Sequence, residues 1–136
     1  FSKSKDINQW FQNIYLPIDK LIGQIINPLP SKIKELSADP YDQLLMDSFC
    51  LYLEKSKNKI TKVKMIYTSF ASPSIIRDFS LDLYHCLSQV EDGLNELERY
   101  TMGYVDDYLH DGKSMIAEAK KKRKFLKTNK KEWLIL

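Results

Sequence analysis

In DDYLHD (Asp106–Asp111), Asp107 and His110 stand three residues apart. On a helix that spacing puts a carboxylate and an imidazole on one face. Helical bundles build metal sites this way, pairing such a motif with carboxylates from a second helix. The second half is missing here: Glu35 and Glu54 are the only glutamates before residue 91. The motif therefore reads as an acidic, solvated stretch of helix. A zinc site of Cys and His alone would need His85, Cys86, Cys50 and His110. His85 and Cys86 are adjacent and diverge by about 100° on a helix, which suits no single metal.

Arg77 with His85 resembles the Arg…His pair of helical nucleases, yet the seven residues between them are long for one catalytic face. No phosphate-cradling glycine loop, HExxH or GxSxG is present. Catalysis, cofactor and metal are all unexpected on these grounds, and a non-enzymatic role is the reading.

The other chemically loaded stretch is AKKKRKFLKTNKKEW (Ala119–Trp133), with eight basic residues in fifteen. Lys120, Lys121, Lys122, Arg123, Lys124, Lys127, Lys130 and Lys131 have the charge density to contact phosphates. KKKRK also has the form of a short nuclear-import signal. The plain alternative is a solvated helix end, where cations suit the dipole. Residues 1–112 carry 12 basic and 16 acidic side chains, residues 113–136 carry 9 and 2, and the net charge of +3 thus hides a basic end on an acidic body.

The elements that must position these groups are helices. Four Gly and five Pro in 136 residues leave too few turns for an all-β fold. Ile7, Trp10, Phe11, Ile14, Ile18, Leu21, Ile22 and Ile25 recur at helical spacing, with Pro17 predicting a kink or break near Tyr15. NPLPS (Asn27–Ser31) predicts a stop and a loop. A second helix is predicted from Pro40, capped by Asp39, to about Phe70. A third is predicted from Pro73 to about His110. It carries Leu83, Leu87, Val90, Leu94, Leu97, Thr101, Tyr104 and Tyr108 at alternating steps of four and three, a heptad stripe. After Tyr108 the stripe slips to Gly112, Ile116 and Ala119 and so predicts a break or a change of face near Asp111-Gly112. The second and third helices fold back as an antiparallel hairpin, its lysines facing acids, with Lys62 and Lys64 expected near Asp78 and Asp82. Cys50 and Cys86 are expected as buried free thiols in a reducing compartment. Trp10, Phe11 and Tyr15 are expected in the core, with an aromatic anchor on a partner as the alternative.

The fold class is therefore all-α: a helical bundle with a long, coiled-coil-like antiparallel hairpin (residues 1–112), a kinked N-terminal helix, and a basic C-terminal extension (113–136). The third helix should project beyond the body. Leu94, Leu97, Tyr100, Tyr104 and Tyr108 then offer a seam to another helical protein or to a second copy in a homodimer. The function so read is a protein-interaction or scaffold domain, a subunit or fragment of a larger assembly. The alternative is a nucleic-acid-binding module using the basic end. No segment approaches the ~20 apolar residues of a membrane span. An intracellular location is expected, nuclear if the import signal is read.

Overall fold

The computed structural model describes the backbone of residues 2–134 and consists of helices. They are α1 (Ser2–Trp10), a π-helical turn (Phe11–Tyr15), α2 (Leu16–Ile26), α3 (Leu29–Ala38), α4 (Gln43–Ser69), α5 (Arg77–Gly103) and α6 (Asp106–Leu134), with a single 3-10 turn at Ser74–Ile76. The body is a four-helix bundle of α2, α4, α5 and α6, with α1 continuing α2 and α3 packed on α4.

Pro17 does not break the first segment, which stays helical from Ser2 to Ile26. Its missing N–H deprives one carbonyl of the usual partner, and the chain widens into a π turn instead, with the Leu16 N–H donating to the Phe11 carbonyl. The turn brings Phe11 and Tyr15 onto the face of Trp10, and all three meet Phe79 of α5 edge-on with ring centroids 5.0–6.1 Å apart. Each is fully buried. NPLPS holds the stop of α2 and a two-residue bend at Asn27–Pro28, and already opens α3 at Leu29, because prolines are tolerated in a first turn whose N–H groups have no helical acceptor. Leu29, Ile33 and Leu36 of α3 are buried. The cap of α4 is Asp42, not Asp39: its Oδ1 accepts from the N–H groups of Leu44 (2.9 Å) and Leu45 (3.2 Å).

The α4–α5 hairpin forms, in a different register from that expected. Lys64 pairs with Glu91 (2.6 Å) and Lys57 with Glu98 (2.7 Å), one heptad further along each helix. The connection between Ser69 and Arg77 is longer than a two-residue turn, and Asp82 pairs with Lys122 of α6 instead. Tyr67 closes the hairpin through Ser80, with its hydroxyl 3.1 Å from the Ser80 carbonyl. Tyr52 donates to the carbonyls of Gln24 and Ile25 at the end of α2, where a helix leaves acceptors free.

The third helix stops at Gly103, well before His110, and does not project. Tyr104 adopts φ 59°, ψ 27°, and its N–H donates to the Tyr100 carbonyl at 2.8 Å. This left-handed residue reverses the chain, and α6 runs back along the whole of α5. The boundary drawn after residue 112 lies inside α6. What reads as a basic extension is the fourth helix of the bundle: Ile116, Ala119 and Leu126 share the one core with Leu83, Leu87, Leu94 and Leu97.

Small residues let α5 and α6 approach closely. An added Cβ on Gly112 would lie 3.1 Å from the Gly93 carbonyl oxygen, and one on Gly93 would lie 2.9 Å from the Ile116 side chain. One heptad along, the Cys86 thiol meets the Ala119 carbonyl at 3.5 Å. Gly93 and Cys86 on α5 thus oppose Gly112 and Ala119 on α6, seven residues apart on each helix.

Candidate functional site

Helices α4 and α6 begin, and α5 ends, at the same end of the bundle. The α3–α4 loop and the α5–α6 turn meet there and leave large apolar side chains in solvent. Tyr41 is 79 % exposed, Leu44 81 % and Met102 76 %. Val105 and Tyr104 are also exposed. Tyr104 is held between two rings, with centroids 5.3 Å from Tyr41 and 6.0 Å from Tyr100. Arg99 lies 5.9 Å over the half-buried Tyr108 ring, a cation–π contact that keeps one ring face polar. Burial first, and then the nearby Asp106 carboxylate, raise the Tyr100 phenol, so it remains a neutral donor.

Tyr104 is the one non-glycine residue with positive φ among those described. An L side chain in that conformation costs roughly 1–2 kcal/mol, and glycine ordinarily takes this position after a helix. The turn spends that energy to set a tyrosine between two others at the surface. A groove of about 430 Å³ leads away along α4 and α5, with Cys50, Leu53, Thr101 and Met102 in its walls. Cys50 is exposed in it rather than buried as expected; Cys86 is buried, and both thiols are free.

The five residues expected to form a seam are divided by the fold. Leu94, Leu97 and Tyr100 are buried in the chain's own core. The surface expected to await a partner is covered by α6. Tyr104 and Tyr108 remain accessible in part, now gathered with Tyr41, Leu44, Met102 and Val105. Sequence reading missed those four. Tyr41 carried a signal in DPYDQ, where an aromatic sits in a capping loop; Met102 and Val105 flank the Gly103-Tyr104 reversal.

The basic residues are divided as well. Arg123 points inward: its Nε donates to Asp19 Oδ1 at 2.7 Å and its Nη2 to Oδ2 at 3.4 Å, both side chains mostly buried. Its guanidinium lies against Gly23, where an added Cβ would come within 2.6 Å of Nη2. Lys122 bridges to Asp82 on α5, and Lys121 to Glu118 on its own helix. Lys127 reaches Asp19 at 3.8 Å, and Lys130 lies 5.6 Å over the Tyr15 ring. Lys120, Lys124 and Lys131 have no ion-pair partner among the described residues. Lys120, Lys124, Lys127 and Lys131 follow steps of four, three and four, a stripe on one helical face. The Tyr15 hydroxyl is buried without a hydrogen-bond partner among the described residues, an arrangement that costs about 1–3 kcal/mol when nothing satisfies it. Burial raises the Tyr15 phenol far above its ordinary range, so it remains protonated.

His85 and Arg77 of α5, and Asp107 and His110 of α6, are all exposed. No cluster of three metal-ligating side chains occurs among the described residues. No described helix is long and apolar enough to cross a membrane.

The family model for the C-terminal domain of the cyanobacterial DnaJ chaperone matches residues 2–134, which is nearly the whole chain. No curated protein and no solved structure matches it.

Proposed function

We propose that this chain, which belongs to the cyanobacterial DnaJ chaperone C-terminal domain family and is a non-enzymatic protein-interaction module, takes hold of polypeptide segments with the tyrosine-rich end of its bundle. The observation that carries the reading is the strained Tyr104, set between Tyr41 and Tyr100 and surrounded by exposed Leu44, Met102 and Val105. Backbone strain of this kind persists where the surroundings over-determine it, and such outliers cluster at functional positions. Tyrosine and methionine suit the task. A tyrosine offers a large ring at low entropic cost with a polar tip, and an unbranched thioether adapts to varied partners. The groove along α4 and α5 would continue the surface for an extended or helical segment.

The test is binding of a labelled, permanently unfolded carboxymethylated polypeptide, followed by fluorescence anisotropy, for the full chain and for Tyr41→Ala and Met102→Ala. Both side chains are largely in solvent, so neither change should disturb folding. A hot-spot residue costs at least about 2 kcal/mol, so each variant should bind roughly 30-fold more weakly. Equal affinity for both variants and the parent chain would rule this end out. Sedimentation at rising concentration gives the other expected partner its chance. A dimer lost in both variants would identify the occupant as a second copy.

A further inference from the structure

A second surface lies on the opposite flank of the molecule, where α6 crosses the π turn and the start of α2. It is a groove of about 310 Å³. Tyr15 and Asp19 form one wall, and Lys124, Lys127, Thr128 and Lys131 rise on the other, with Lys130 over the Tyr15 ring. Asp19 does not make the groove acidic, because Arg123 engages both its oxygens. Four lysines thus line a space whose one carboxylate is already engaged by Arg123 and, at 3.8 Å, by Lys127. That charge exceeds what a single bound carboxylate would balance and fits an anion carrying several negative charges. Tyr15 lines this groove, is 1 % exposed, and its hydroxyl has no hydrogen-bond partner among the described residues; an unpartnered protonated phenol in the wall is a donor that an oxyanion entering the groove would satisfy. Thr128 at the rim adds no free donor, since its hydroxyl donates to the Lys124 carbonyl at 3.2 Å. The volume stands at the lower bound of small-ligand pockets.

We propose that this groove is a binding site for a phosphoryl group of a multiply charged phosphate compound. Lys124, Lys127 and Lys131 supply the charge and Tyr15 the buried hydrogen bond. Tyr15 is the last residue of the π turn. Arg123 holds Asp19 out of the ligand's way and does not itself contact the ligand.

Calorimetric titration of the full chain with pyrophosphate at low salt tests this. One saturable site is expected. Lys124→Ala/Lys131→Ala, which removes two exposed and unpaired lysines, should weaken it at least tenfold. Tyr15→Phe should weaken it about three- to tenfold while leaving the melting temperature without ligand unchanged or higher, since the lost hydroxyl bonds nothing. Lys55→Ala/Lys62→Ala on α4 removes the same charge elsewhere and should change affinity less than twofold. Absence of saturation, equal losses in the two lysine pairs, or indifference to Tyr15→Phe would each overturn the proposal. A short single-stranded RNA distinguishes the source of the phosphoryl group. Displacement of RNA by pyrophosphate is expected if the site reads phosphates of either source. RNA binding that pyrophosphate cannot displace and Tyr15→Phe does not alter would mean that the lysine stripe acts only as a diffuse field, against the site proposed.

Discussion

Arg123 shows how far a residue's role departs from its neighbourhood in sequence. Within KKKRK it looks like one of five interchangeable cations. In the fold it is the one that fits a planar, two-point contact with a carboxylate over a glycine. Lysine cannot reproduce that fork. Removing one partner of a mostly buried pair strands the other, at about 3 kcal/mol. Asp19→Asn and Arg123→Lys should each lower the urea midpoint markedly, whereas Lys120→Ala should not move it. Cys86 makes a second residue-scale case. Burial first, against a smaller opposing effect of Arg123, pushes its thiol from 9.0 up to about 12. The fold thus favours the neutral thiol. The contribution of Cys86 to stability is complete below pH 9 and is lost as pH rises through about 12. Urea midpoints at pH 8 and pH 10.5 should diverge more for the parent chain than for Cys86→Ala. A thiol reagent should titrate one cysteine in the native chain, Cys50, and two in denaturant.

At the scale of elements, α5 and α6 were legible to different degrees for a physical reason. The stripe of α5 is built of Leu and Val and announces itself as far as Leu97. The inward positions of α6 are Leu109, Gly112, Ile116, Ala119, Arg123 and Leu126, which keep the same alternation of three and four. Three of the six are Gly, Ala and Arg, so Gly112, Ile116 and Ala119 read as a slip of the α5 stripe and a break near Asp111-Gly112 rather than as the core face of a returning helix. Those small residues are what the closest helix pair in the molecule requires. The reversal between the helices was hidden too, because tyrosine occupies the left-handed position and glycine stands one residue earlier. With the turn unseen, the acids at Asp106 and Asp107 looked like a helix ending. They favour the positive end of the dipole of a helix beginning. Adding a methyl group at the crossing tests the packing. Gly112→Ala gains about 1 kcal/mol of helix propensity. It also drives a Cβ to 2.8 Å from Leu97 and 3.1 Å from a backbone oxygen. Overpacking costs about 1–3 kcal/mol, and backbone cannot swing aside as a side chain can. The net should be a lower melting temperature, by several degrees. Gly103→Ala, with only Val105 nearby at 3.9 Å, should be stabilised or unchanged.

For the whole molecule, the decisive question is whether the basic end is an appendage or part of the body. The all-α class, the α4–α5 hairpin and the aromatic core of Trp10, Phe11 and Tyr15 follow from periodicity, because long apolar stripes leave few other foldings. The number of helices in the bundle does not follow, since it turned on one tyrosine at φ 59°. The consequences differ sharply. An appendage can be cut after residue 112 with loss of charge alone. A fourth helix cannot, because the cut removes Ile116, Ala119 and Leu126 from the core and exposes Cys86, Leu94 and Leu97 along α5. It also strands Asp19 without Arg123 and Asp82 without Lys122. Those losses reach several kcal/mol each for large core side chains, against a total stability of about 5–15 kcal/mol for a domain of this size. Residues 1–112 should therefore show no cooperative thermal transition by circular dichroism and should aggregate through the bared face of α5. The intact chain should melt in one step. A cooperative melt of the fragment near that of the full chain would return α6 to the status of a tail. Supplying residues 113–134 as a separate peptide should restore the transition, since the match of Gly93 with Ile116 and of Cys86 with Ala119 resides in the faces of the two helices and not in the turn that joins them.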